Sequence, residues 1–286
     1  MRLSLLHRTT FVYEGLARDS FNEVRLRPMD TGLQSCRRFA LRISPEATTR
    51  EYIDFHGNTT HYFSIANPHA ELTVEAESEV DTLPNAERPG APPPDQLVPL
   101  DAGDAELQAE YLQASHYVPL APELERECRA ALGAGRSSAW EEFHCLGRHV
   151  RRTFTYRPEA TGVDTLATDA LRLRAGVCQD FAHVLIGLCR CAGIPARYVS
   201  GYFLNRNRKP GEAEASHAWV EGFMPGVGWT AYDPTHERTP DERYIQVATG
   251  RDYGDIRPIG GTYRGAPTRE LRVEVEVREA GALAAR

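Results

Sequence analysis

Cys178 opens a stretch in which Phe181, Ala182, Leu185, Leu188, Cys189 and Ala192 recur at three- and four-residue spacings. That period predicts a helix with one buried face. Gly193 falls where a left-handed residue ends a helix, and Pro195 forbids continuation. A thiol in the first turn meets unpaired N–H groups and the positive end of the helix dipole, both of which favour a thiolate. A small buried thiol that only packs would occupy the same position, so chemistry requires partners. Ala215 to Phe223 alternates polar and apolar residues like a half-buried strand. Met224-Pro-Gly-Val-Gly228 is turn chemistry, and Trp229 to Thr235 is a second short strand that ends at a proline. His217 begins the first strand and Asp233 ends the second, so an antiparallel hairpin sets them side by side. A thiol, an imidazole and a carboxylate are the parts of activated-nucleophile catalysis.

The three motifs are Gly176-Val-Cys-Gln-Asp-Phe-Ala-His183, Ser216-His-Ala-Trp-Val-Glu221 and Trp229-x-x-Tyr-Asp-Pro-Thr235. In type and order they resemble the transglutaminase-like superfamily of papain-like cysteine enzymes. The resemblance implies Cys178 as nucleophile, His217 as base and Asp233 as the residue that orients the base. His7, Tyr13, Asn22-Glu-Val-Arg-Leu-Arg-Pro28, Gln34 and Asp54-Phe-His-Gly-Asn58 resemble the β-domain that precedes the core in bacterial transglutaminase-like proteins. The implied fold is α+β: a small β-sandwich-like domain followed by a papain-like transglutaminase core. In that core a helix carries the nucleophile and an antiparallel sheet carries the base and its partner. The implied activity is acyl transfer on peptide or side-chain amides through a thioester. Hydrolysis is expected ahead of transamidation, with a non-catalytic binding module on the same fold as the rival.

Composition narrows the classes. The 41% hydrophobic content supports a sizeable core, and a formal net charge of −7 argues against nucleic acid or an anionic membrane as the main partner. No run of about eighteen apolar residues occurs, so no transmembrane helix is expected. Six cysteines are spread too widely for a disulfide scaffold, which suits reduced thiols in the cytoplasm. No Cys/His group has zinc-site spacing and no EF-hand loop is present, so neither metal nor cofactor is expected. The expected partner is a protein or peptide substrate bearing amide groups.

Several elements must position these residues. Residues 1–82 read as a β-domain, with strands at Arg2 to Tyr13, Phe21 to Arg27, Arg37 to Ile43, Thr59 to Ala66 and Glu71 to Val80. His7, His56 and His61 read there as surface or packing residues. Residues 83–100 hold six prolines from Pro84 to Pro99 and read as a linker. Residues 101–266 form the expected core, with helices at Asp101 to His116, Pro122 to Leu132 and Ser137 to Phe154. Ser138 and Glu141 can form a capping box for the third. Trp140 and His144 belong to its buried face, Tyr156 lies beside the site, and Arg251 with Asp252 makes a structural ion pair. His183 lies about 140° round the helix from Cys178 and should not act as the base. Asn205 to Ala213 reads as a mobile loop at the substrate rim. Residues 267–286 hold a strand with Leu271, Val273, Val275 and Val277 on one side, which must pair with either sheet, and a tail from Ala280.

Overall fold

The computed structural model describes residues 1–84, 108–134, 138–206 and 216–280. Most of the proline-rich segment, most of the 205–213 loop and the tail beyond residue 280 lie outside the described residues.

The strand-rich part is one antiparallel sheet of seven strands. Its spine is β1 (Arg2–Val24), flanked in the order β2 (Gln34–Ser44), β5 (His69–Thr82), β1, β4 (Thr59–Ile65), β3 (Arg50–Ile53). Irregular pairing near Val12 and Arg18 lets the 23-residue strand bend and change neighbours. The chain returns to this sheet at its far end: β12 (Ile259–Gly265) and β13 (Thr268–Glu279) both pair with β1. The terminal strand thus joins the first sheet, not the catalytic one. Val275 and Val277 are buried, but Leu271 and Val273 are exposed, so the alternation in β13 marks a buried face only in its second half.

The remaining elements surround one helix. Ahead of it come α1 (Pro122–Leu132), α2 (Ala139–Thr153) and α3 (Ala167–Leu173), and α4 (Cys178–Cys191) follows. The Ser138–Glu141 capping box forms as its sequence predicts. The antiparallel sheet beside them runs in the order β10 (Gly228–Tyr232), β9 (His217–Met224), β8 (Ala196–Phe203), β11 (Tyr244–Gly250). Three helices cover one side of α4 and this sheet covers the other, so α4 is buried from Asp180 to Arg190 and not on one face alone. Phe181 is fully buried there, and truncating it to alanine would cost about 3–5 kcal/mol. Gly193 takes the left-handed conformation, with φ +81°. The helix expected from Asp101 is not continued over its described part, where a 3-10 turn, Ala109–Leu112, stands instead.

The two sheets share a core. Leu3, Leu5, Val80, Val275 and Val277 join the cluster built around α4. Side-chain amides complete the junction along β11, which is the edge of the four-stranded sheet. Gln34 donates to the carbonyl of Gln246 and accepts from its N–H, both at 2.8 Å. Asn58 repeats the pattern with Thr249, at 2.8 and 2.7 Å. Each amide pairs with β11 as another strand would, satisfying edge groups that would otherwise be buried unpaired. His7 adds a 2.6 Å hydrogen bond to the Tyr202 hydroxyl, and His56 lies 3.2 Å from Asp255.

Candidate active site

Cys178 is the first residue of α4, and its backbone approach is held from three directions. The Asp180 carboxylate accepts the Val177 N–H at 2.7 Å and the Thr161 hydroxyl at 2.6 Å. A Cβ on Gly176 would come within 2.3 Å of that carboxylate, so only glycine fits there. Thr155 and Tyr156 form β6, paired in parallel with β7, Ala175–Gly176. Gln179 donates to the carbonyl of Val163 at 2.8 Å, closing the segment between β6 and α3 over the first turn. Burial pushes the Asp180 carboxyl up, and its Oδ1 has no partner.

His217 and Asp233 come from the expected hairpin. Tyr232 pairs with Val220, which sets Asp233 diagonal to His217 on one face of the β9–β10 pair. Gly147 of α2 lets the Tyr232 ring approach closely; a Cβ there would stand 2.2 Å from it. His217 Nε2 lies 2.7 Å from Asp233 Oδ2. Cys178 lies near enough to raise His217, and with Asp233 on Nε2 the ring nitrogen left for it is Nδ1. Burial by itself lowers the affinity of His217 for a proton. The charge and hydrogen bond of Asp233, with those of Cys178, outweigh it and hold the imidazolium to about pH 10. Asp233 is fully buried, which disfavours its charge. Its bonds to His217 and His236 outweigh that and hold it well below the usual carboxylate range.

Two residues of this site escaped the sequence reading. His236 Nδ1 lies 2.7 Å from Asp233 Oδ2, and the Tyr244 hydroxyl donates to the same oxygen at 2.7 Å. The backbone N–H groups of Thr235 and His236 donate to Oδ1 at 2.8 and 3.2 Å. Asp-Pro-Thr-His places His236 three residues after Asp233, a spacing that could have flagged it. Nothing local flags Tyr244. Among the described residues, His217, Asp233 and His236 also form the one group of three donors, within 4.8 Å of each other, able to hold a metal ion.

The other candidates separate. His183 packs against Tyr117 with ring centroids 5.1 Å apart, and its Nε2 accepts the Tyr253 N–H at 3.2 Å. The expected Arg251–Asp252 ion pair is replaced. Arg251 pairs with Asp255 at 2.9 Å, while Asp252 accepts the N–H groups of Tyr117 and Gly254, each at 2.8 Å. Asp252 begins a 3-10 turn, Tyr253–Ile256, and capping that turn engages its carboxylate. All six cysteines are free, and no helix among the described residues is long and apolar enough to cross a membrane.

A helix-borne cysteine facing a sheet-borne histidine and aspartate is the arrangement of the papain-like class. Residues 127–234, which contain all three, match the transglutaminase-like superfamily, and residues 3–81 match the bacterial transglutaminase-like N-terminal region. An uncharacterized Mycobacterium leprae protein is 35% identical over 285 residues, covering 96% of this chain and 98% of the relative. The chain belongs to the transglutaminase-like superfamily. A protein-glutamine gamma-glutamyltransferase of Pseudomonas aeruginosa is 33% identical over 129 residues, 42% of this chain and 19% of that protein. A candidate cysteine protease from Cytophaga hutchinsonii shares the fold, with TM-score 0.72 and 23% identity over 97% of this chain and 91% of that one.

Proposed function

We propose that the protein is a cysteine hydrolase of peptide or side-chain amides, with Cys178 as nucleophile, His217 as acid and base, and Asp233 as the carboxylate that orients His217. The observation that carries this reading is the 2.7 Å hydrogen bond from His217 to Asp233, with Cys178 beside the same imidazole at the start of α4. His217 takes the Cys178 proton, the sulfur attacks the amide carbon, and the carbonyl π electrons move to oxygen. The N–H of Cys178, unpaired at a helix start, is placed to meet that oxygen with a second donor from a neighbouring segment. Collapse of the adduct breaks the C–N bond, and the His217 proton goes to the departing nitrogen. A thioester and free ammonia or amine result. Water then attacks the thioester while His217 takes its proton, and the thiolate leaves.

Hydrolysis is preferred over transamidation on the likeness of the fold to a candidate cysteine protease over nearly the whole chain. The likeness to a named glutamyltransferase over the core supports the second reading, transfer of a glutaminyl acyl group to an amine. A glutamine-containing peptide distinguishes the two: ammonia release with no added amine supports hydrolysis. Release that depends on a primary amine, with the amine incorporated, would replace hydrolysis by transamidation. No release in either case, with Cys178 as slow to alkylate as the other cysteines, would favour a binding module. The free cysteines support a cytoplasmic location as part of the same proposal.

A further inference from the structure

The residue that the hairpin argument missed gives the site a second capacity. We propose that His217, Asp233 and His236 form a binding site for a zinc-class divalent cation, and that the bound ion holds the cysteine site inactive. The inhibitory half rests on the reading of Cys178 and His217 as an acyl-transfer pair; the binding half does not.

Two imidazoles and a carboxylate are a borderline-soft donor set of the kind zinc takes at three protein positions, with water at the fourth. His217 Nε2 and His236 Nδ1 converge on Asp233 Oδ2 at 2.7 Å each. A tetrahedral ion with bonds of about 2.0–2.2 Å needs donors about 3.3 Å apart. The cluster must therefore open by roughly half an ångström. His236 can supply that movement and the way in, since its side chain is 35% exposed while Asp233 is fully buried. The carboxylate is already braced as a ligand should be. Tyr244 donates to Oδ2 at 2.7 Å, and two backbone N–H groups hold Oδ1.

Coordination at these atoms leaves the ring protons on His217 Nδ1, toward Cys178, and on His236 Nε2. The imidazolium form of His217 has then given up its Nε2 proton to solvent. Surrendering the remaining proton would create an imidazolate, so the ring no longer serves a leaving group as acid or water as base. Cys178 lies across the ring from Nε2 and is not a ligand in this arrangement.

Cobalt(II) titration of the full chain tests the site through visible d–d absorption, with zinc as competitor. The wild-type protein and Cys178→Ala should bind one equivalent alike, with no thiolate-to-cobalt charge-transfer band. His236→Ala and His236→Gln should each bind at least about tenfold more weakly. Absence of binding at millimolar cobalt, undiminished binding in both His236 variants, or a thiolate band lost in Cys178→Ala would overturn the assignment. If the His236 variants do not fold, imidazole nitrogen shifts of the wild-type protein replace them: zinc must move those of His217 and His236. Zinc should stop ammonia release from the glutamine peptide at the concentration that displaces cobalt. Zinc binding with activity intact removes the inhibitory half. A wild-type protein with no activity removes that half with the functional reading, while the cobalt titration still decides the site.

Discussion

Two buried histidines, His183 within α4 and His217 on β9, are driven in opposite directions by their surroundings. His183 is fully buried between Tyr117 and Tyr198, and burial pushes its pKa down to about 3. An aspartate, Asp252, lies near enough to act on it, but its carboxylate is engaged by backbone N–H groups. The ring of His183 therefore accepts a hydrogen bond and remains neutral. His217 is almost as buried, yet its neighbours raise it to about 10. The difference is direct contact: Asp233 takes the Nε2 hydrogen of His217 at 2.7 Å. The charge of a carboxylate in direct contact, reinforced by its hydrogen bond, outweighs burial of an imidazole; that of Asp252, which has no hydrogen bond to His183, does not.

The comparison predicts unequal losses of activity. Cys178→Ala removes the one atom that can form the thioester, so ammonia release should fall to background while the melting transition persists. His217→Ala should lose about 10²–10⁴-fold, and the double variant should be little worse than Cys178→Ala alone because the residues act as a unit. Measurable turnover in Cys178→Ala would break the mechanism. Asp233→Asn should lose less than Cys178→Ala and carry a second signature. Without the carboxylate charge the imidazolium is less stable, so the alkaline limb of the pH–rate profile should move down from about 10. An unmoved limb would assign it to another group.

Stability should report the same contrast with opposite slopes. His217 is raised above its unfolded value, so its contribution is complete below about pH 6.5. That contribution is lost as pH climbs through about 10. His183 is depressed, so its contribution is present above about pH 6.5. It is lost as pH falls toward about 3. His183→Phe should flatten the acid slope in urea unfolding, leave the alkaline limb of activity in place, and cost about 1–3 kcal/mol through the unpaired Tyr253 N–H. A shift of the alkaline limb in His183→Phe would mean that the two pockets are coupled.

The nucleophile helix and the hairpin were legible because each depends on local periodicity and turn chemistry. So was the pairing of His217 with Asp233, which hairpin geometry nearly dictates. Burial of α4 on every side was not legible, because the second covering layer comes from three preceding helices whose packing the period of α4 itself does not show. The sequence left open which sheet β13 joins, since alternation shows a face and not its neighbour. Gln34 and Asn58 stood out only by resemblance, and their use appears in the fold: they occupy the edge of β11. Arg251 with Asp252 was misread because adjacency suggested a pair, whereas the N–H groups of Gly254 and Tyr117 take the Asp252 oxygens and the i+4 residue, Asp255, takes Arg251.

Tyr244 gives the smallest expected effect and the sharpest sign. Its hydroxyl shares Asp233 Oδ2 with His217. It withdraws electron density that would otherwise stabilise the imidazolium, while burial and that same carboxylate push the phenol far above its usual range. Tyr244→Phe removes one of three side-chain donors and leaves the other two. The remaining bond to His217 should strengthen, so the alkaline limb should move up, by less than about one pH unit. That is opposite in direction to Asp233→Asn. Activity at neutral pH should change only severalfold, since the two backbone N–H groups on Oδ1 still hold the carboxylate. A pH–rate profile of Tyr244→Phe beside that of Asp233→Asn decides the matter. Limbs displaced in the same direction would show that Tyr244 acts by fixing the position of Asp233 and not by sharing its charge.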